Sequence, residues 1–247
     1  MRFYLFARIN IIFQKKLKQT VQEQVSITKP SHTVLIIGII IAIVFPLALS
    51  LLISNLSLNT NNKVLYSRFI YWAEVLFLWW YAKQCENQHL LIWKEKQSGA
   101  KFILKWVIVL YVLALVASAI SAIPSMLGYH ESKNVITQIA RLVKNRPALI
   151  VFIALTAGVT EELIFRAYIL TRLSLLIKNQ YIPVVISAML FAGLHYKYHS
   201  PREYIFAFLI GILMGLHYKK YGNIKPLIIV HFMVDLIGLA IMQHVIK

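Results

Sequence analysis

Acidic residues and cysteine are scarce in this sequence. Its 247 residues contain nine aspartates and glutamates against 26 lysines and arginines, which gives a formal net charge of +17. The single cysteine, Cys85, excludes an internal disulfide, so cysteine usage does not indicate a compartment. The sequence also has no internal repeat and no stretch of low complexity. Because carboxylates are so few, each one that falls inside an apolar segment needs a physical reason.

Apolar residues, in contrast, are abundant and come in long blocks. They make up 59% of the sequence, and the mean hydropathy is +0.68. Such blocks are expected where lipid is the solvent. The basic residues cluster between the blocks, which predicts loops facing an anionic cytoplasmic leaflet and no nucleic-acid partner. We therefore predict an all-α fold, a multi-spanning integral membrane helical bundle embedded in the lipid bilayer.

Seven apolar segments predict about seven transmembrane helices. Pro147, Pro183 and Pro226 stand at or just before the first residue of three of them, where proline is tolerated. The segments cover approximately residues 34–53, 64–82, 102–123, 148–170, 183 to at least 195, 204–218 and 226–245. Ahead of them, residues 1–33 are basic and amphipathic, which is typical either of a helix in the membrane interface or of a basic tail that sets orientation.

The distribution of basic residues predicts a cytoplasmic N-terminus. The N-terminal segment and the connection 83–101 are rich in lysine and arginine, whereas the connection 54–63 has only Lys63. A small basic chain of this kind suits a bacterial plasma membrane. The connection 125–146 is also basic, although this orientation places it outside, so its topology stays open.

Four of the nine carboxylates fall inside apolar segments, namely Glu74, Glu161, Glu162 and Asp235. Charged groups at membrane depth are costly and commonly functional. Glu162 and Arg166 are four residues apart, so they share a helix face and are expected to form an ion pair. Glu161 is rotated by about 100° from Glu162 and has no such partner in its own helix. A carboxylate in that position has a tunable pKa, as a general base requires.

Two histidines extend this group onto other helices. His195 lies in the fifth segment, and His231 lies four residues before Asp235 in the seventh, where Asp235 is placed to orient it. Measured along ideal helices, Glu161, His195, His231 and Asp235 lie roughly 7 to 18 Å from the predicted cytoplasmic ends. Three helices thus place ionisable side chains at similar depth, which predicts a single site.

The order of these motifs resembles a known family. Glu-Glu-x-x-x-Arg at 161–166, Phe-x-x-x-His at 191–195 and His-x-x-x-Asp at 231–235 are similar to the motifs of the CAAX protease and bacteriocin-processing (CPBP, Abi) family of intramembrane endopeptidases. The resemblance covers approximately residues 147–246. It implies a catalytic bundle in that range, supported by three helices within residues 34–124. The implied reaction is hydrolysis of a peptide bond in a membrane-associated peptide or protein.

The resemblance also implies a role for each residue. Glu161 would activate a water molecule that His195 helps to hold, and Glu162 would mainly brace Arg166. His231 and Asp235 would stabilise the oxyanion of the tetrahedral intermediate. An ionised aspartate cannot donate a hydrogen bond to an oxyanion. Asp235 must therefore be protonated, act through His231, or help to bind a metal.

A zinc mechanism is the second alternative. Glu161, His195 and His231 are candidate ligands for Zn²⁺ with an open position for water. The His-Glu-x-x-His motif of soluble zinc proteases is missing from the sequence. We therefore favour a glutamate-activated water without an obligatory metal. No cofactor is predicted, and Zn²⁺ is the candidate metal to test.

Two further function classes compete with the protease. A transporter would favour polar or broken helices in both halves of the chain, but the first three segments have few polar residues apart from Glu74. We expect Glu74 to lie near a membrane interface, the alternative being that it faces the site. The family resemblance also implies the other alternative, a non-catalytic membrane protein in bacteriocin self-immunity or as a regulatory partner. Such a scaffold has no need to keep three ionisable clusters in lipid.

Overall fold

The structure is a computed structural model that describes residues 30–57, 59–129, 133–195 and 199–245. Within these ranges the regular structure is entirely helical, and no strand occurs in them. This confirms the all-α fold class. The predicted basic amphipathic segment, residues 1–33, lies outside the described residues except for its last four.

Helices form at each of the seven apolar segments, because long apolar runs satisfy their backbone groups internally only as helices. Two additional helices occur where the sequence predicted none, the short α4 at the start of the basic connection and α5 within it. The helices are α1 (His32–Asn55), α2 (Thr60–Gln84), α3 (Ala100–Ser121), the short α4 (Ile123–Met126), α5 (Lys133–Val143), α6 (Pro147–Leu176), α7 (Ile182–Gly193), α8 (Pro201–Tyr221) and α9 (Lys225–Val245).

Four stretches in the described part of the chain are long and apolar enough to cross a membrane by length and composition. They are α1, α3 continued into α4, α6 and α9. The apolar helix α7 has only 12 residues. The four stretches confirm a membrane protein with several spans, while the count of about seven stays a prediction.

Polar residues at the predicted boundaries fix where several helices begin and end. The side chains of Ser31, Asn59 and Ser200 accept hydrogen bonds from the first turns of α1, α2 and α8. Each satisfies a backbone N–H that has no partner inside the helix. Gly222, with φ 65°, ends α8 in the left-handed conformation that glycine adopts without strain.

Small residues allow the helices of the C-terminal half to approach closely. A Cβ added at Gly158 of α6 would lie 2.9 Å from the backbone nitrogen of Phe232 in α9. A Cβ at Gly211 of α8 would lie 2.9 Å from the Cβ of Ala188 in α7. These glycines therefore set the spacing of two helix pairs, α6 with α9 and α7 with α8.

A buried ion pair fixes the connection between α2 and α3 against α6. The carboxylate of Glu86 lies 2.7 Å from Arg172 Nη2 and accepts a hydrogen bond of 2.7 Å from the Tyr168 hydroxyl. The Arg172 guanidinium also donates to the carbonyls of His89 and Leu90. Glu86, Tyr168 and Arg172 are at most 1% exposed. This connection is thus anchored in the protein interior rather than being only a basic loop.

Candidate active site

The predicted site residues converge from three helices. Glu161, Glu162 and Arg166 lie on α6, His195 follows α7, and His231 and Asp235 lie on α9. Gly158 brings α6 and α9 close together one turn before the glutamates. Contacts within 4 Å join five of these residues, namely Glu161, Glu162, Arg166, His231 and Asp235.

Glu162 joins two partners through one oxygen atom. Its Oε1 lies 2.8 Å from Arg166 Nη1 and 2.8 Å from His231 Nδ1. The Glu162 side chain is completely buried, as is nearly all of Arg166. The first contact confirms the predicted ion pair. The second was not predicted, and it ties α6 to α9 at the site.

The bond to Glu162 determines the chemistry of His231. Because a carboxylate only accepts hydrogen bonds, Nδ1 of His231 carries the hydrogen, and Nε2 is the ring nitrogen turned to the rest of the site. Nε2 lies 3.8 Å from Glu161 Oε2 and 3.7 Å from Asp235 Oδ2, beyond direct hydrogen-bond distance. The expectation that Asp235 orients His231 is thus corrected, because Glu162 holds the ring at Nδ1.

The two adjacent glutamates differ in accessibility. The side chain of Glu161 is 14% exposed and that of Asp235 is 31% exposed, whereas Glu162 is fully buried. A small molecule can therefore reach the carboxylate of Glu161 but not that of Glu162. This difference follows from helix geometry, since neighbouring residues project about 100° apart.

The segment that carries Arg166 is a π-helix. It spans Leu163–Leu170 and begins directly after Glu162. The apolar pattern predicted a regular α-helix here. π-Helical turns are rare and occur frequently at functional sites. In this protein the π-helix begins inside the motif at 161–166, which supplies three of the six predicted site residues, and contains Arg166.

His195 reaches the same cluster from the end of α7. Its Nδ1 lies 3.0 Å from the carbonyl oxygen of Phe191, so Nδ1 carries the hydrogen and Nε2 is the acceptor in the neutral ring. The Phe191 ring lies 5.1 Å from the His195 ring and 6.0 Å from the His231 ring. The Arg166 guanidinium carbon lies over the Phe191 ring, 4.4 Å from the ring centroid. Phe191 thus contacts both histidine rings.

Helix α2 carries two charged residues near this cluster, Glu74 and Arg68. Glu74 is fully buried and interacts electrostatically with Glu161, which favours the alternative that it faces the site, and its depth relative to a membrane interface stays a prediction. Arg68, six residues earlier, interacts electrostatically with Asp235. The signal was present in the sequence, since no basic residue lies within one turn of Glu74 to pair with it.

The zinc candidates are not arranged as a ligand set in the described residues. No group of three His, Cys, Asp or Glu side chains among these residues has a geometry that could hold a metal ion.

One of the comparisons with known proteins gives a match. No curated protein and no solved structure matches the chain. One family model matches residues 144–237, a range that contains all six predicted site residues. That model is described as the type II CAAX prenyl endopeptidase Rce1-like family, and the match confirms the family resemblance carried by the three motifs.

Proposed function

We propose that this protein is an intramembrane endopeptidase that hydrolyses a peptide bond by means of a water molecule activated by Glu161. The observation that carries the proposal is the arrangement around His231. Its Nδ1 is tied to the buried Glu162, and its Nε2 faces the accessible carboxylate of Glu161. A base and an orientable imidazole therefore lie side by side at one site.

The first step is attack on the peptide carbonyl. The Glu161 carboxylate takes a proton from water, and the water oxygen forms a bond to the carbonyl carbon. His195 holds the water by accepting its second hydrogen at Nε2, the ring nitrogen opposite the bond to Phe191. The product of this step is a tetrahedral oxyanion and a protonated Glu161.

His231 stabilises the oxyanion in the second step. With a proton on Nε2 it donates a hydrogen bond to the oxyanion, and the buried Glu162 carboxylate balances the charge of the imidazolium. Asp235, at 3.7 Å from Nε2, acts through His231 as a second negative charge beside the ring. This role requires no hydrogen-bond donation from the aspartate itself.

Collapse of the intermediate completes the reaction. Glu161 returns its proton to the amide nitrogen, the carbon–nitrogen bond breaks, and an acid and an amine leave the site. No further reactant is needed, because the proton taken from water is the one delivered to the leaving group.

An apolar groove next to His195 supports the proposal that the substrate is held in the membrane. It has a volume of about 410 Å³ and lies between α1 and α7. Its lining is formed by Ile43, Leu47, Leu51, Met189, Leu190, Gly193 and Leu194. Leu194 directly precedes His195, so a chain lying in this groove ends beside the site. The matched family is named for prenyl endopeptidases, which makes a prenylated peptide the first substrate to test.

The test uses purified protein in liposomes and a farnesylated CAAX peptide with a fluorophore and a quencher on either side of the scissile bond. We expect the wild type to cleave it, and Glu161→Gln and His195→Ala to lower kcat/KM by about 10²- to 10⁴-fold, the usual contribution of a general base. Glu95→Gln is the matched control, because Glu95 is half-exposed and paired with Lys225.

Two outcomes would contradict the proposal. Cleavage by Glu161→Gln at the wild-type rate would exclude Glu161 as the base. A wild-type cellular phenotype with both variants correctly inserted would favour the non-catalytic immunity or regulatory protein. Chelation with 1,10-phenanthroline and metal analysis test the zinc alternative. We expect activity to persist after chelation, whereas loss that added Zn²⁺ restores would support the metal.

A further inference from the structure

Four rings pack together where α3 begins and α8 ends. This ring cluster consists of Phe102, Trp106, His217 and Tyr221, and each ring centroid lies 4.8 to 6.4 Å from the other three. His217 is 5% exposed, and neither of its ring nitrogens has a hydrogen-bond partner in the part of the chain that the structure describes. The other three rings are partly exposed. The ring cluster thus presents tryptophan and tyrosine side chains, which are typical of a membrane–water interface, at one end of two helices.

Exposed lysines lie against the ring cluster. Lys105 Nζ lies 5.9 Å from the centroid of the Trp106 ring, and Lys220 Nζ lies 5.1 Å from the centroid of the Tyr221 ring. Lys101, one helical turn before Lys105, is exposed on the same face of α3. None of these three lysines forms an ion pair with a residue that the structure describes. Three positive charges therefore gather at this surface without a counter-ion from the described residues.

The carboxylates nearest to these lysines in the chain already have partners. The connection between α2 and α3, which leads into Lys101, contains Glu86 and Glu95. Glu86 lies 2.7 Å from the buried Arg172, and Glu95 lies 2.9 Å from Lys225. The surface beside the ring cluster is therefore electrostatically suited to an anionic ligand from outside the chain.

The face of α3 that carries the lysines continues as an apolar stripe. Leu104, Ile108, Val112 and Leu115 follow Lys101 at intervals of three and four residues and are 52% to 63% exposed. From residue 105 to residue 115 the helix rises about 15 Å, which is half of the hydrocarbon core of a bilayer. A positive turn followed by this stripe matches the headgroup and acyl chain of a phospholipid in one leaflet. A free phosphate or an acidic peptide would leave the stripe uncovered.

We propose that this surface is a binding site for one anionic phospholipid. Its phosphate lies between the ammonium groups of Lys105 and Lys220, because lysine binds phosphate as a compact positive charge. The headgroup lies beside the Trp106 and Tyr221 rings, and one acyl chain follows the apolar stripe of α3. The site shares no residue with the candidate active site, so lipid binding is independent of the proposed protease activity.

The experiment measures thermal unfolding of the full chain in dodecyl maltoside with added dioleoyl phosphatidylglycerol, dioleoyl phosphatidylcholine or inorganic phosphate. At about a hundredfold excess over its dissociation constant, phosphatidylglycerol is expected to raise the unfolding midpoint by about 5 to 10 °C. Phosphatidylcholine has no net charge and inorganic phosphate has no acyl chain, so each should raise the midpoint by less than about 2 °C. Native mass spectrometry of the same samples is expected to show one retained phosphatidylglycerol molecule.

Two double variants locate the site. Lys105→Gln with Lys220→Gln is expected to unfold at the wild-type midpoint without lipid and to lose both the shift and the retained phosphatidylglycerol. Lys83→Gln with Lys178→Gln is the matched control, because it removes two exposed lysines outside the ring cluster. Lys83 lies 5.5 Å from the centroid of the Trp79 ring, so the control also removes a lysine that lies over an aromatic ring. The control should keep the full shift.

Four outcomes would overturn the proposal. A full shift in the Lys105→Gln and Lys220→Gln variant would show that phosphatidylglycerol binds elsewhere. Equal losses in the two double variants would show that only the overall charge of the protein attracts the lipid. A shift with phosphatidylcholine as large as with phosphatidylglycerol would show that the headgroup charge is not recognised. An equal shift with inorganic phosphate would show that a free anion, and not a lipid, is the ligand.

Discussion

Replacing Glu162 with glutamine is expected to separate the structural part of the site from its chemical part. The Glu162 carboxylate lies 2.8 Å from Arg166 Nη1 and 2.8 Å from His231 Nδ1. Glutamine has the same shape and keeps an accepting oxygen for His231. It lacks the negative charge that neutralises Arg166 and that would balance an imidazolium on His231.

The magnitude follows from the burial of Arg166, which is 1% exposed. Removing one partner of a buried ion pair leaves an uncompensated charge and costs about 3–5 kcal/mol. For a chain of this size, about 2–4 °C per kcal/mol gives a fall in the unfolding midpoint on the order of 6–20 °C. The loss of the charge behind His231 is expected to lower kcat/KM by about 10- to 100-fold, as for other residues that orient an active-site group.

A double-mutant cycle distinguishes the two effects. Thermal unfolding in detergent and peptide cleavage in liposomes are measured for Glu162→Gln, Arg166→Met and the double variant. The double variant removes both charges, so it is expected to regain much of the lost stability but not the lost activity. An unfolding midpoint of Glu162→Gln within about 2 °C of the wild type would refute the reasoning. So would a double variant that is as unstable as the sum of the single ones.

Two further predictions concern the packing around the site. Arg172→Met leaves Glu86 buried without its cation, so we expect the free energy of unfolding to fall by about 3–5 kcal/mol. Cleavage per folded molecule should be retained. An unchanged midpoint of thermal unfolding would contradict this prediction. Gly158→Val forces α6 away from α9, which is expected to cost about 1–3 kcal/mol and to lower kcat/KM, because both helices carry site residues. Gly238→Ala is the matched control, since a Cβ at Gly238 meets nothing within 4 Å; equal effects of the two changes would count against this role of Gly158.

The sequence was sufficient for the fold class because apolar blocks of membrane length are a strong signal. It did not reveal α5 (Lys133–Val143), whose apolar residues are interleaved with basic ones in a connection that composition marks as a loop. Ala140 and Val143 are buried, and α5 packs mainly against α9, a contact between distant parts of the chain. The π-helix was also missed, because a segment that is apolar on all sides carries little information about its periodicity.

The site was predictable where its contacts lie within one helix. The spacing of Glu162 and Arg166 specified their ion pair, since residues four apart share a helix face. The bond between Glu162 and His231 joins α6 and α9, and no spacing rule encodes such a contact. Glu74 shows the same limit, because its helix position gives its face but not the neighbour that this face meets.

The π-helix Leu163–Leu170 determines the direction in which the later side chains of α6 point. Each π-turn holds one more residue than an α-turn, so the residues after it are rotated relative to an uninterrupted α-helix. Glu162 therefore pairs with Arg166 at the site, while Arg172 points to Glu86 in the connection after α2. Deleting a single residue from 163–170 would still allow a continuous helix, but it would turn one of these two buried cations away from its carboxylate. The number of residues between Glu162 and Arg172 is thus constrained as strictly as their identity.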